Sequence, residues 1–253
     1  MARLKLTFLG TRGGIILRSP RHLRHSSLLV ESERTRVMID CGSDWLHQLN
    51  SLAPTAIVLT HAHPDHAGGL AAGAPCPVYA TSETWAALGR FPVEAKRTIP
   101  PGNPLLIDHL TFKAFPVEHS LLAPAVGLRI CAEGSCIFYA PDVAEILDRR
   151  GALSGVDLYI GDGATVRRSM VRRRNGALIG HASIAAQLGW CKDAAVRQAI
   201  FTHCGSQIVR DKSQEMETLV RRLGREHGVA ARIAYDGLQL SIGGKPSAGT
   251  LSV

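Results

Sequence analysis

Short apolar, β-branched runs bounded by turn residues recur along the chain. In the first two-thirds they fall at Leu4 to Leu9, Leu28 to Glu31, Arg36 to Asp40, Ala56 to Thr60, Leu110 to Phe115, Val126 to Cys131 and Cys136 to Ala140. Later runs lie at Asp157 to Ile160, Gln198 to Thr202, Arg232 to Tyr235 and Leu238 to Ile242. Runs of this length and composition predict strands, the first one opening at Met1 with Arg3 and Lys5 set into an alternating stretch. Helical spacing occupies His66 to Ala72, Thr81 to Leu88, Val143 to Arg150 and Ser183 to Lys192. The clearest helix follows Asp211, where an Asp-x-x-Gln start (Asp211, Gln214) leads into Met216, Leu219, Val220 and Leu223 on one face and stops at Gly228. No Ser/Gly-rich linker, low-complexity block or short repeat interrupts the chain, so one domain over residues 1–253 is expected. An α/β chain with this many strands suits two sheets packed face to face with helices outside. Periodicity alone leaves a doubly wound sheet as the alternative.

Composition adds two points. With 253 residues, 45% of them hydrophobic, the chain buries a full core without disulfide staples. Lys and Arg number 29 against 21 Asp and Glu, and the resulting +8 favours anionic partners without choosing among nucleic acid, phosphorylated metabolites and acidic surfaces. The six cysteines (41, 76, 131, 136, 191, 204) form no CxxC pair, and neither a secretory apolar segment nor a membrane-length run occurs. Reduced thiols, a cytoplasmic location and no membrane partner are expected.

Chemistry concentrates in His61-Ala62-His63-Pro64-Asp65-His66, which follows the Ala56 to Thr60 strand and precedes the small residues Ala67-Gly68-Gly69. In extended chain His61 and His63 project to one side and meet one cation. Pro64 then turns the chain, and Asp65 with His66 faces a second position. Imidazole and carboxylate together suit zinc or a similar divalent ion, at about 2.0–2.2 Å for zinc. Three His and one Asp within six residues are hard to explain as a solvated turn. His22, His25, His47, His109 and His227 lack such a context and read as solvated.

This motif resembles the HxHxDH signature of the metallo-β-lactamase fold superfamily, and the likeness extends over nearly the whole chain. It implies an αββα sandwich, two mixed sheets face to face with helices outside. It also implies two divalent metal ions, zinc first and manganese second. By the same resemblance His119 is the third histidine, Asp142 the bridging aspartate and His203 the last ligand. His61, His63 and His119 then hold one metal, Asp65, His66 and His203 the other, and Asp142 is shared. Asp40 matches the early aspartate that supports the ligand loop. The Gly10-x-x-Gly13-Gly14 turn lacks the Lys-Ser/Thr of a phosphate loop but resembles the FLGTxGG opening of the RNase Z-like and cyclic-phosphodiesterase branches.

Two cations about 3.5–4 Å apart lower the pKa of a bridging water and stabilise the oxygens of an in-line displacement, so hydrolysis is expected, with Asp65 among the catalytic groups. His181, not needed as a ligand, resembles the extra histidine of phosphodiesterase branches and suits a general acid or phosphate clamp. Arg167, Arg168, Arg172, Arg173 and Arg174 lie before it in a stretch free of acidic residues and offer phosphate contacts. That run contains no aromatic residue, so a base-stacking platform is missing there.

PhnP-type cyclic phosphodiesterases share His119-Ser120, Thr202-His203 and Tyr235-Asp236-Gly237 with this chain. Their Cys-rich structural zinc site has no counterpart between Thr11 and Ser27, where Arg12, Arg18, Arg21 and Arg24 stand instead. The expected activity is that of a phosphodiesterase on a small or nucleotide-like, cyclic or linear, phosphodiester. The alternative is an RNase Z-type nuclease with nucleic acid as partner. A thioester or lactone hydrolase and a non-catalytic phosphate-binding protein rank below these. Homodimerisation is implied by the resemblance alone.

Overall fold

A computed structural model describes residues 4–89, 91–100, 102–210 and 213–243. The expected strand start at Met1 and helix start at Asp211 lie outside the described residues. In chain order the strands are β1 (Leu4–Gly10), β2 (Ser27–Ser32), β3 (Thr35–Ile39), β4 (Ala56–Val58), β5 (Val78–Ala80), β6 (Lys96–Thr98), β7 (Leu105–Ile107), β8 (Leu110–Glu118) and β9 (Ala125–Ala132). They continue as β10 (Ser135–Tyr139), β11 (Glu145–Ile146), β12 (Leu158–Asp162), β13 (Arg172–Arg174), β14 (Ala177–Ile179), β15 (Gln198–Thr202), β16 (Ala230–Ile233) and β17 (Gln239–Ile242). The helices are α1 (Leu49–Leu52), α2 (Pro64–Ala67), α3 (Ser82–Leu88), α4 (Arg149–Leu153), α5 (Ile184–Asp193), α6 (Ser206–Val209) and α7 (Ser213–His227).

Two mixed sheets result. The first has the order β17-β1-β2-β3-β4-β5-β6, the second β11-β8-β9-β10-β12-β15-β16 with β7 paired to β8. Strand alternation explains their stacking. Leu4, Leu6 and Phe8 of β1, with Leu28 and Val30 of β2, face Phe112, Leu128, Ile130 and Ile160 of the second sheet in one buried cluster. The opposite face of the first sheet (Leu29, Met38, Ile57) is covered by Trp45, Leu49 and Leu70. The outer face of the second sheet (Phe138, Tyr159, Phe201) is covered by Leu188 of α5 and by Val220 and Leu223 of α7. The four layers agree with the expected sandwich, and no helix among the described residues is long and apolar enough to cross a membrane.

Local readings hold where caps are present. Thr81 accepts from Thr84 N to start α3, and Ser183 accepts from Ala186 N to start α5. The helix expected over Val143 to Arg150 does not form. Val143 N donates to Asp162, Ala144 N to the Glu118 carbonyl, and Glu145–Ile146 pair with β8, so the sheet takes these donors and α4 starts only after the Asp148 cap. The helix expected over His66 to Ala72 starts earlier, at Pro64, and tightens to 3-10 geometry from Gly68 to Ala72. Three-residue strands such as β5 and β6, and the arginine-bearing hairpin β13–β14, carry too little apolar alternation to be read in advance. The cysteines also differ from expectation: Cys131 and Cys136, directly opposite each other in β9 and β10, form a disulfide, while Cys41, Cys76, Cys191 and Cys204 are free thiols.

Candidate metal centre

The expected ligands follow the carboxyl ends of strands from both sheets, where open α/β sheets place ligands. His61, His63, Asp65 and His66 follow β4, His119 follows β8, Asp142 follows β10 and His203 follows β15. The α2 helix gives the ligand loop its shape. Pro64 at its first position fixes the turn, and the His63 carbonyl accepts from both His66 N and Ala67 N.

The side chains converge. His63 Nδ1 lies 3.0 Å from His61 Nε2 and 3.2 Å from His119 Nε2. Asp142 sits at the centre, its Oδ2 2.9 Å from His66 Nε2 and 3.3 Å from His61 Nε2, its Oδ1 3.0 Å from His203 Nδ1. Asp65 Oδ2 is 3.2 Å from His203 Nε2 and 3.6 Å from His66 Nε2. Two groups of ligand atoms that could hold a metal ion emerge, His61, His63, His119 with Asp142, and Asp65, His66, His203 with Asp142.

The residues fit two divalent ions. His66 Nε2, His203 Nδ1 and Asp142 Oδ1 are buried, lie within about 3 Å of other ligand atoms and still have no hydrogen-bond partner. Orphaned buried atoms of this kind are costly unless something accepts their lone pairs or charge. Electrostatics agree with this reading. Burial and the neighbouring His66 push His61 well below its ordinary value. Burial opposes the charged form of Asp142 too, but His119 and His203 outweigh it and hold the carboxyl well below the usual range. Burial likewise opposes charge on His66, yet Asp65 and Asp40 raise it well above normal.

Asp40 supports the loop from beneath. Fully buried, it places Oδ2 2.8 Å from His66 Nδ1 while Oδ1 accepts from Thr60 N at 2.8 Å, which fixes the ring so that Nε2 faces the cluster. Asp40 and His203 both have positive φ, 60° and 51°, a backbone cost at two positions of the site.

His181 leans in from the side, with Nδ1 2.8 Å from Asp162 Oδ2 and 3.2 Å from Asp142 Oδ1. Burial disfavours its imidazolium, but these two carboxylates prevail and the pKa is pushed up to about 11. Asp162 is a site residue that sequence reasoning misses. It ends β12, is fully buried, and forms a third group with Asp142, His181 and His203. An aspartate between Gly161 and Gly163 at the end of an apolar run is the available signal.

The glycines of the first turn have a steric purpose. A Cβ on Gly13 would stand 2.9 Å from His203 Cε1, and one on Gly14 would stand 2.8 Å from Asp65 Oδ2. Arg12 braces this turn. Its guanidinium is buried and donates to the Gly13, Ile15 and Leu23 carbonyls and to Asp44, which also accepts from Arg18. Arg21 and Arg24 stack on Tyr235 and Trp45. Two histidines expected to be solvated are not. His22 is buried against Thr11 Oγ1 at 2.8 Å, and His25 packs beside Asp44, because the 11–27 segment folds inward onto the Asp236 carboxylate, which accepts from Thr11, Leu23 and Arg24.

A cavity of about 510 Å³ opens over the cluster, lined by His63, Asp65, His119, Asp142, His181 and His203 at its floor. The five arginines of the 167–174 run do not reach it; all are exposed, and three form β13. The hairpin they occupy is tied to the rim at both ends, through Met170 N to the His181 carbonyl and Gly180 N to the His119 carbonyl.

Two mixed sheets face to face, helices outside, and a His/Asp cluster at the strand ends define the class, the metallo-β-lactamase fold with a candidate metal centre. The family described as the beta-lactamase superfamily domain matches residues 35–204, and the chain belongs to it. The metallo-β-lactamase fold protein YhfI from Bacillus subtilis superposes with a TM-score of 0.75 at 18% identity, over 95% of this chain and 100% of that one. A diphosphatase from the PhnP family superposes with a TM-score of 0.72 at 21% identity, over 95% and 98%. In sequence, a ribonuclease Z of Methanopyrus kandleri is 31% identical over 144 residues, 50% of each chain. The chain spans about half the length of the curated relatives it matches.

Proposed function

We propose that this chain is a dinuclear metal-dependent phosphodiesterase acting on a small or nucleotide-like phosphodiester. The observation that carries the reading is the pair of donor groups sharing Asp142, with His181 beside them and held by Asp162. His61, His63 and His119 would hold one ion, and Asp65, His66 and His203 the other. Zinc suits this donor set, with manganese as alternative. When bound, the pair supplies Lewis acidity toward phosphoryl oxygens and an activated water at neutral pH.

The remaining work belongs to the chain. His181 has Nδ1 engaged with Asp162 and lines the cavity, so Nε2 is its free atom for the substrate. From there it holds a phosphoryl oxygen or delivers a proton to the departing one, as a general acid. Asp65 lines the same cavity, and burial is outweighed by His66 and His203 so that it stays a carboxylate able to accept a hydrogen bond from the nucleophile and orient it. Metal-loaded protein is expected to hydrolyse bis(p-nitrophenyl) phosphate and cyclic phosphodiesters, with His181→Ala reducing turnover about 10²–10⁴-fold. Unchanged turnover in that variant overturns the role of His181. Asp142→Ala is expected to lose both ions by elemental analysis; two ions retained would overturn the shared position.

One observation favours an RNase Z-type nuclease as second reading: the hairpin rising from the rim carries Arg172, Arg173 and Arg174. Because these stand outside the cavity, any phosphate they hold lies beyond the scissile one. Replacing all three by Ser would then depress cleavage of an RNA strand more than cleavage of bis(p-nitrophenyl) phosphate.

A further inference from the structure

The cavity walls above the metal cluster carry no charge. Beyond the His and Asp floor, the lining comes from backbone and from Ile15, Thr165, Met170, Ser206 and Gln207, and no Lys or Arg among the described residues takes part. One phosphoryl group finds its counter-charges at the floor. A second phosphate on those walls would be desolvated with nothing to pair it. Beside Ile15 and Met170 an apolar group would instead gain by leaving water.

Exposed hydrophobics stand close in sequence to the lining. Among the large hydrophobics that stand exposed, Ile16 (97%), Leu17, Leu121, Leu122 (88%) and Met170 each line the cavity or lie within three residues of one that does. Single exposed hydrophobics need no explanation, but Met170 is both half exposed and part of the lining, and the exposed Ile16 and Leu17 directly follow the lining residue Ile15, so apolar side chain runs from the wall to the outside. Continuity with the cavity argues that the occupant is part of the substrate.

We propose, building on the phosphodiesterase reading, that the substrate is a phosphodiester with an uncharged apolar arm, aryl or alkyl. That arm lies between Ile15 and Met170, which set specificity. The phosphoryl group sits over the Asp142 cluster and the arm leaves the cavity past Met170 and Ile15, toward Ile16.

The test uses the full metal-loaded chain and p-nitrophenyl phosphodiesters that differ only in their second arm, which is methyl, phenyl or carboxyphenyl. The phenyl diester is expected to exceed the methyl diester in kcat/KM by about tenfold or more, with most of the gain in KM. The carboxyphenyl diester should fall below phenyl. Ile15→Ser and Met170→Gln should each narrow the phenyl-to-methyl ratio. Equal kcat/KM for all three arms, a preference for the charged arm, or a ratio unmoved by both variants overturns the proposal. Calorimetric binding of diphenyl against dimethyl phosphate reads the same preference without turnover. A chain that hydrolyses none of the diesters yet binds diphenyl phosphate more tightly keeps the apolar site and loses the phosphodiesterase reading. Sedimentation covers the remaining occupant: if both variants turn a dimer into monomer while the arm ratio stays, the rim is a self-association face and the proposal falls.

Discussion

Asp142 is the residue on which the centre turns, since five imidazoles lie within 3.6 Å of its two oxygens. It is the one carboxylate that belongs to every candidate donor group found among the described residues. Asp162 acts one step further out, on His181. Asp162→Asn keeps the volume and weakens the acceptor, so turnover is expected to fall about 10–100-fold with metal content unchanged. Loss of an ion in that variant would instead move Asp162 into the ligand set. Away from the site, His22 links stability to pH. Burial, aided by the Arg21 charge, lowers it to about 4, against an ordinary value near 6.5. Between those values the unfolded chain binds the extra proton, so stability is intact above about pH 6.5 and declines as pH falls through 4. The loss from this residue between pH 7 and 4.5 is about 2 kcal/mol. Denaturant titrations of the wild type and His22→Asn should differ by that amount in their pH dependence, and parallel curves would contradict it.

At the scale of elements, the ligand loop is positioned by two neighbours it does not touch in sequence. The Asp40–Gly42 segment lies beneath it, where a Cβ on Gly42 would fall 2.0 Å from the Asp65 carbonyl oxygen. The Gly13–Gly14 turn lies beside it, braced by Arg12 against Asp44. Gly14→Ala should therefore displace Asp65 and cut both metal affinity and turnover, while the circular dichroism of the sheets stays the same; full occupancy with normal turnover would refute the steric role. The strands and capped helices are readable because alternation and caps are local signals, as in β1, β2, α3 and α5. The segment from Val143 to Arg150 misleads because its donors are claimed by Glu118 and Asp162, partners distant in sequence.

For the whole molecule, loops after strands of both sheets contribute to the His/Asp cluster, so a metal bound there would tie the two halves of the sandwich together. Ions bound only by the folded chain stabilise it by mass action, about 1.4 kcal/mol for each tenfold excess of free ion over its dissociation constant. Chelation is accordingly expected to lower Tm, and added zinc to raise it with concentration; a Tm indifferent to both would separate the cluster from stability. The six-residue motif by itself pointed to a metal site, because His61, His63, Asp65 and His66 are near neighbours whose directions follow from an extended chain and one proline. Resemblance supplied His119, Asp142 and His203 in order. Tertiary structure alone decided the rest. It brought Thr11 onto Asp236, joined Cys131 to Cys136, and buried Arg12, His22 and Asp162. It also kept the arginines from Arg167 to Arg174 out of the cavity, away from the phosphate contacts that their spacing before His181 suggests. The net charge of +8 favours anionic partners in general, but whether a cation faces a substrate or open water depends on which loops close over the strand ends. Contacts across 100 or 200 residues settle that, and no local pattern encodes them.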